Sequence, residues 1–168
     1  MALNSKLKEP VAVCTGPSGY KPTITSYGTI DDTGLKRVLR IKEGARVVLI
    51  ININTQDSLV NGSFGKILKI VEDKQKVDHL IIKFDKMDSG TKQREDHPIQ
   101  SRPYASENGT PLFRHNCSYN ITGHKGKKHQ ARANILQFPV KLAWAMTCHK
   151  MQVRLLGTQA KQGSRSSC

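Results

Sequence analysis

The sequence has no acidic residue after Glu107. The whole chain contains 27 lysines and arginines but only 13 aspartates and glutamates. Residues 108–168 contain ten basic residues. A long field of one sign attracts polyanions, and nucleic acid is the commonest polyanion that proteins bind. The alternative is a basic, solvated tail without a specific target.

Long apolar runs are also missing, and the apolar fraction is only 37%. No run approaches the roughly 18 residues that a membrane-spanning helix needs. The first ten residues contain no apolar segment of signal-peptide length. We therefore expect a protein that is neither secreted nor inserted in a membrane.

Cysteine is sparse, with four widely spaced residues and no CxxC pair, which predicts reduced thiols rather than a disulfide framework. One zinc hypothesis needs consideration, because histidine and cysteine recur between residues 115 and 129. The spacing matches no paired-ligand pattern, and lysines next to the histidines repel a cation. We expect no metal site from this set, which is His115, Cys117, His124 and His129.

The clearest secondary-structure signal lies in residues 35–85. Ala45 to Ile53 is rich in β-branched residues and predicts a strand. Asn61-Gly62 predicts a tight turn with positive φ at both residues. Two further strands are predicted at 65–71 and 77–84, joined by a polar turn at 72–76. Successive antiparallel strands with short connections describe a small β meander or barrel.

Two candidate nucleic-acid contacts follow from local composition. Gly62 and Gly65 flank a Ser-Phe pair, so Phe64 is predicted on an exposed loop near Lys66, where it could stack on a base. The alternative is that Phe64 folds back onto the sheet. The most basic window, residues 124–132, predicts a phosphate-contacting loop or a solvated one; its candidate side chains are Lys125, Lys127 and Lys128.

The remaining chain is weaker in pattern. Residues 1–34 are punctuated by proline and glycine and predict an irregular segment. Residues 85–133 predict irregular strands and loops, and 132–138 predict an extended strand. Residues 138–152 read FPVKLAWAMTCHKMQ, which predicts a buried helix with Pro139 in its first turn and a polar C-terminal end. Residues 153–168 have the composition of a disordered tail.

Three ordered stretches together resemble the C-terminal part of the petite-integration-frequency (PIF) type DNA helicases, a RecD-related group of superfamily 1B that includes the helicases of Helitron-like mobile elements. They are Leu-x-Ile-Lys-x-Gly-Ala-Arg-Val-Val-Leu-Ile-x-Asn-Ile at 39–53, Leu-Val-Asn-Gly-Ser-x-Gly at 59–65, and Phe-Pro-Val-x-Leu-Ala-Trp-Ala-Met-Thr-x-His-Lys-Met-Gln at 138–152.

This resemblance implies an α+β, mostly β fold: a small SH3-like antiparallel β unit on an incomplete second RecA-like domain, with a disordered tail. The implied division is 1–34, an irregular N-terminal segment; 35–85, the β unit; 86–152, the partial RecA-like domain; and 153–168, the divergent tail. Family members translocate 5′ to 3′ on single-stranded DNA with ATP and Mg²⁺, and work in DNA repair, recombination and telomere maintenance.

The resemblance also implies residue roles. The Thr-x-His-Lys-x-Gln stretch is similar to helicase motif V, which makes Thr147, His149 and Lys150 candidates for DNA contact. Gln152 would then lie toward the nucleotide. Asn61, Gly62 and Gly65 would be structural turn residues.

Departures from the family pattern limit what the chain is expected to do. Val-Arg-Leu follows Gln152 where the family continues with glycine, and no Walker A, acidic Mg²⁺ ligand set or later arginine motif occurs. Because phosphoryl transfer needs these groups, we expect no ATP hydrolysis, no cofactor and no catalytic residue in this chain by itself.

The leading hypothesis is therefore a C-terminal helicase fragment that contacts single-stranded DNA, located in the nucleus or, alternatively, in mitochondria. An expected partner is a separate N-terminal helicase half. The alternatives are a stand-alone basic nucleic-acid-binding module and a non-functional remnant of a mobile element.

Overall fold

The computed structural model describes residues 6–16, 21–30, 33–121 and 131–143. The described chain is mostly β. Its strands are β1 (Val13–Thr15), β2 (Arg46–Leu49), β3 (Phe64–Asp73), β4 (Lys76–Phe84), β5 (Thr110–Phe113), β6 (His115–Ile121), β7 (Ala131–Gln137) and β8 (Val140–Leu142). Between β4 and β5 lie α1 (Thr91–Asp96), α2 (Pro98–Ser101) and a 3₁₀ helix (Arg102–Glu107).

The larger sheet is antiparallel and has five strands in the order β5-β4-β3-β2-β8. Residues 79–82 of β4 are buried on both faces of the sheet. The face toward the main core carries aliphatic side chains from all five strands. Together with Phe138 from the β7–β8 connection, these side chains form the main core. Its fully buried members include Val47, Ile67, Leu80 and Ile82.

A second, three-stranded antiparallel sheet has the order β1-β7-β6. β1 pairs with β7 across most of the chain, with Val13 opposite Leu136. Under this sheet lies a smaller core of Ala12, Ile30, Leu35 and Ile135. The prediction of a mostly β, antiparallel fold is confirmed.

A buried glutamine joins the N-terminal segment to β7. The side chain of Gln137 is fully buried, and its Nε2 donates to the carbonyl oxygens of Pro10 and Lys36, both at 3.1 Å. Its Oε1 accepts from the backbone N–H of Phe138 at 3.0 Å. The amide thus pairs backbone groups of three separate segments, as buried polar groups require.

The predicted turns at residues 61–62 and 72–76 are both present, but the pair of positive φ values lies in the second turn and not in the first. At 60–63 the N–H of Ser63 donates to the carbonyl of Val60, and φ is positive at Gly62 (90°) but not at Asn61. This is the requirement of a type II turn, so the prediction of two positive φ values there is wrong. The pair with two positive values is Lys74 (46°) and Gln75 (66°), which joins β3 to β4 as a type I′ turn would.

The predicted helix beginning at Pro139 is wrong over its described part. Residues 140–142 form β8, which pairs with β2 so that Val140 lies opposite Leu49. Val140 is 1% exposed, and this pairing buries it in the main core. A short apolar run fits a buried strand as well as a helix, and tertiary pairing decides between them. Residues 144–152 lie outside the described residues.

Other predicted elements differ mainly in their bounds. The strand predicted over 45–53 ends at Leu49, because the chain then bends and Ile53 and Asn54 bond back to Leu59. Residues 35–41 contribute isolated bridges to residues 8, 11 and 29. The strand predicted at 132–138 is confirmed as β7.

Helices α1 and α2 were not predicted, because residues 85–133 have weak periodicity. A distant carboxylate stabilises the first of them: the buried Asp57 accepts hydrogen bonds from the backbone N–H groups of Lys92 and Gln93, both at 2.9 Å. These are two of the N–H groups that a helix start leaves unpaired. No local sequence signal could indicate a cap that comes from so far along the chain.

The five-stranded sheet takes strands from residues 46–84, 110–113 and 140–142. It therefore crosses the predicted boundary between 85 and 86. The division into an SH3-like unit and a partial RecA-like domain stays a prediction. The predicted disordered tail, 153–168, lies outside the described residues.

Candidate nucleic-acid interface

Most of the sequence-predicted contacts cannot be placed on the fold. They lie outside the described residues: Lys125, Lys127, Lys128, Thr147, His149, Lys150 and Gln152. The described candidates are Phe64 and the three predicted turn residues.

Phe64 does not lie on an exposed loop as predicted. It is the first residue of β3, half-buried, and lies opposite Val48 of β2. Its carbonyl accepts a hydrogen bond from the N–H of Asp85 at 2.9 Å. The strand begins here because the turn at 60–63 has already reversed the chain, so the alternative placement of Phe64 on the sheet is correct.

Phe64 nevertheless shares a sheet face with basic side chains. Lys66 lies two residues further along β3, and alternate residues of a strand project from the same face. Lys66 is opposite Arg46 on one side and Lys83 on the other. We call this set of Phe64, Arg46, Lys66 and Lys83 the basic sheet face.

The basic sheet face carries a row of three exposed cations across three adjacent strands. Like charges directly opposite one another destabilise a strand pair. One of the three is compensated: two Arg46 guanidinium nitrogens lie 2.7 Å from the two carboxylate oxygens of Asp85. That hydrogen bonding raises the pKa of Arg46. The Lys66–Lys83 pair adds nothing to stability, so a surface role explains it better.

Gly65 determines how closely β3 approaches β4 beneath the basic sheet face. It was predicted as a turn residue but is the second residue of β3. A Cβ at this position would lie 2.6 Å from Ile82 Cγ2 and 2.8 Å from the carbonyl oxygen of Lys83. Only glycine allows β3 to approach β4 so closely, and this approach sets the spacing between Lys66 and Lys83.

Arg46 and Lys83 were not singled out from the sequence. Each is an ordinary basic residue on a predicted strand, and only the strand register shows that both flank Lys66. The signal that could have found them is the alternation of each strand combined with a correct hairpin register.

Among the described residues, no group of three or more His, Cys, Asp or Glu side chains is arranged to hold a metal ion. His124 and His129 lie outside the described residues. Neither described cysteine, Cys14 or Cys117, forms a disulfide with another described residue, and burial raises the pKa of Cys117. No helix in the described part of the chain is long and apolar enough to cross a membrane.

The strands and turns at the centre of this interface coincide with a known domain. Residues 29–70 match the family model for the DNA helicase Pif1, 2B domain. Over these residues the chain is similar to the Pif1 2B domain. The matched segment includes Arg46, Phe64 and Lys66, while Lys83 lies beyond it.

Solved structures of Pif1 helicases are similar to this chain in fold. The Pif1 helicase from Candida albicans is 21% identical with a TM-score of 0.53, covering 89% of this chain and 32% of that one. The Pif1 helicase from Bacteroides, in complex with ADP-AlF3 and ssDNA, is 19% identical with a TM-score of 0.51, covering 85% of this chain and 25% of that one.

A third structure, of forked dsDNA unwinding by two coordinating Pif1 helicases, is 18% identical with a TM-score of 0.50, covering 88% of this chain and 25% of that one. At these identities the likeness shows the fold. The chain spans a quarter to a third of the length of these structures. No curated protein sequence matches it.

Proposed function

We propose that this Pif1-like chain is part of an ATP-dependent DNA helicase and contributes contacts to single-stranded DNA. The observation that carries the proposal is the match of residues 29–70 to the 2B domain of a DNA helicase. Pif1 structures have been solved with ssDNA and with forked dsDNA, which supports nucleic acid as the partner class.

The basic sheet face gives this proposal a physical form. Exposed Lys66 and Lys83 neutralise phosphates, and the half-buried ring of Phe64 offers an edge or face to a base beside them. Further contacts are proposed at Thr147, His149 and Lys150 from the sequence resemblance, with Gln152 toward a nucleotide. The basic window of residues 124–132 adds Lys125, Lys127 and Lys128.

The proposed helicase moves 5′ to 3′ in the nucleus or in mitochondria. Because the sequence has no Walker A pattern, ATP and Mg²⁺ would be bound by the other helicase half rather than by this chain. The chain alone is then a DNA-contacting part and not an ATPase.

A stand-alone nucleic-acid-binding module is the second candidate. Both hydrophobic cores contain residues from early and late segments of the described chain, which favours this candidate. Every described strand also pairs with at least one other strand. A non-functional mobile-element remnant, in contrast, predicts a chain that does not unfold cooperatively.

The test uses the purified chain, a fluorescent oligo-dT strand and a salt titration of its anisotropy. For single strands the slope of log K against log[salt] is about −0.7 per phosphate contacted. The double variant Lys66→Ala/Lys83→Ala should therefore flatten the slope by about 1.4. The matched control is Lys76→Ala/Lys92→Ala, which removes two exposed lysines elsewhere.

Affinity that does not fall with salt would refute the phosphate contacts. Equal slopes for the two double variants would refute the role of the basic sheet face. Lys150→Ala should weaken binding more than Lys161→Ala, and equal effects would indicate diffuse charge only. DNA-stimulated ATP hydrolysis by the chain alone would overturn its assignment as a non-ATPase part.

A further inference from the structure

An open groove lies between the 24–28 turn, residues 36–40 and β8. Its volume is about 560 Å³, within the range of roughly 300–1,000 Å³ for ligand clefts. It does not include any residue of the basic sheet face. The lining residues are Ile24, Tyr27, Gly28, Lys36, Arg37, Val38, Leu39, Arg40, Lys141 and Leu142.

The described lining carries four basic side chains and no carboxylate. Arg40 is compensated from outside the groove, because its Nε lies 2.8 Å from a carboxylate oxygen of Glu9. Within the described part of the chain, Arg37 and Lys141 form no ion pair. Lys36 also forms no ion pair with a described residue, so the groove presents three uncompensated cations to an anionic ligand. Asp31 and Asp32 fall outside the described residues.

An aromatic ring stands at the same groove. Tyr27 is 81% exposed, which is unusual for a large aromatic side chain in a protein with only 5% aromatic residues. Its backbone is held in a tight turn: Thr25 and Thr29 share a hydroxyl hydrogen bond of 2.6 Å, and Gly28 adopts a φ of 72°. An exposed ring on a fixed backbone loses little entropy when a ligand stacks on it.

The groove wall is tied to the core. The Nζ of Lys36 donates to the carbonyl of Tyr27, and the carbonyl of Lys36 accepts from the buried amide of Gln137. The N–H of Arg37 donates to the carbonyl of Gly28 at 3.1 Å. These bonds hold the backbone that carries Tyr27 and Arg37 in one arrangement, which favours a preformed binding site.

We propose that this groove binds one or two nucleotides of a single-stranded nucleic acid, with one base stacked on Tyr27 and the adjoining phosphates contacted by Arg37 and Lys141. A stacked base must be unpaired, so the ligand is a single strand and not a duplex. The choice of nucleic acid rests on the proposed function, but the groove is a separate surface with its own residues.

The experiment measures anisotropy of three labelled probes with the full chain: a twelve-nucleotide oligo-dT, an abasic strand of equal length and charge, and a blunt hairpin duplex. Tyr27→Ala should weaken oligo-dT binding by roughly five- to 150-fold, the range for loss of one stacked base, and leave the abasic strand unchanged. Tyr27→Leu, which keeps apolar bulk, should behave like Tyr27→Ala.

The charge arm uses Arg37→Ala/Lys141→Ala, which should flatten the salt slope by about 1.4 for both single strands. Lys76→Ala/Lys92→Ala is its matched control. Thermal unfolding of each variant checks that the fold is kept. We expect it to be kept because the side chains at 27 and 37 are exposed.

Several results would overturn the proposal that the groove binds a single strand. If Tyr27→Ala does not weaken the binding of oligo-dT, no base stacks on Tyr27. If it weakens the binding of oligo-dT and of the abasic strand equally, the loss is not specific to a stacked base. Poly-glutamate that displaces oligo-dT and is itself weakened by Tyr27→Ala would make the groove an acidic-peptide site. If only Lys66→Ala/Lys83→Ala weakens binding, the groove fails and the proposed function stands; if the unaltered chain binds no probe, both fail.

Discussion

Replacing Gln137 by leucine should destabilise the fold more than any exposed substitution. Leucine keeps a similar volume but removes three hydrogen bonds, to Pro10, Lys36 and Phe138. The carbonyl of Pro10 keeps the N–H of Leu39 as a partner, whereas the carbonyl of Lys36 and the N–H of Phe138 lose theirs. Each buried group left unpaired costs about 1–3 kcal/mol.

The expected total is about 3 kcal/mol, near the lower end of that sum, for two reasons. The Lys36 carbonyl is only partly buried, so water can replace its lost partner. The leucine side chain also gains apolar burial. For a chain of this size, about 3 kcal/mol corresponds to a fall in Tm of roughly 6–12 °C.

Urea denaturation followed by far-UV circular dichroism measures this difference. The matched control is Gln56→Leu, the same chemical change at an exposed turn position, which should stay within about 0.5 kcal/mol of the parent. If Gln137→Leu also stays within that limit, the buried amide does not hold the segments together. Because Lys36 lines the groove, the variant should also weaken oligo-dT binding at temperatures where it remains folded.

Three further substitutions test other features. Asp57→Ala should cost about 2–3 kcal/mol in urea denaturation by leaving two helix N–H groups unpaired, whereas Asp88→Ala on the neighbouring exposed turn should be near neutral. Gly65→Ala should destabilise by about 1–3 kcal/mol, since its Cβ overlaps the next strand; an unchanged midpoint would show that β3 can move away. Burial acts to raise the pKa of Glu43, but the hydrogen bonds from Lys69 and a backbone N–H and nearby positive charge lower it overall. The stabilisation is therefore present above the unfolded-state pKa and lost as pH falls through the folded-state one, so Glu43→Gln should flatten the acid limb of stability against pH; an unchanged acid limb would contradict this.

The sheet core could be predicted from the sequence because its evidence is local. Strand β3 largely alternates between buried and more exposed residues, and β4 contains an apolar run within its buried residues 79–82, so both strands are visible in the sequence. The sequence also contains Asn61-Gly62, the strongest short hairpin signal, yet the structure uses it as a type II turn and places two positive φ values at Lys74-Gln75. A type I′ turn matches the twist of the strands that it joins. It forms between the two long strands β3 and β4, although Lys74-Gln75 is not a residue pair that favours it.

The candidate interface could be predicted only in part. Phe64 and Lys66 are neighbours in sequence, so their association was visible, but Arg46 and Lys83 depend on register. Tyr27 lies in a segment that the sequence predicts to be irregular. Its exposure follows from a turn held by threonine hydroxyls and by a distant lysine, which no periodicity reports.

The pairing of β1 with β7 and of β2 with β8 has a consequence for how the chain folds. The β3–β4 hairpin closes through a two-residue turn and can form as soon as its own residues are free to move. Val13 must wait for Leu136, and Leu49 must wait for Val140, so both pairings close very long loops. During synthesis from the N-terminus, β1 and one edge of β2 therefore stay without their partners until β7 and β8 have left the ribosome. The hairpin would act as the folding nucleus, and the N-terminal segment would dock last although it is made first.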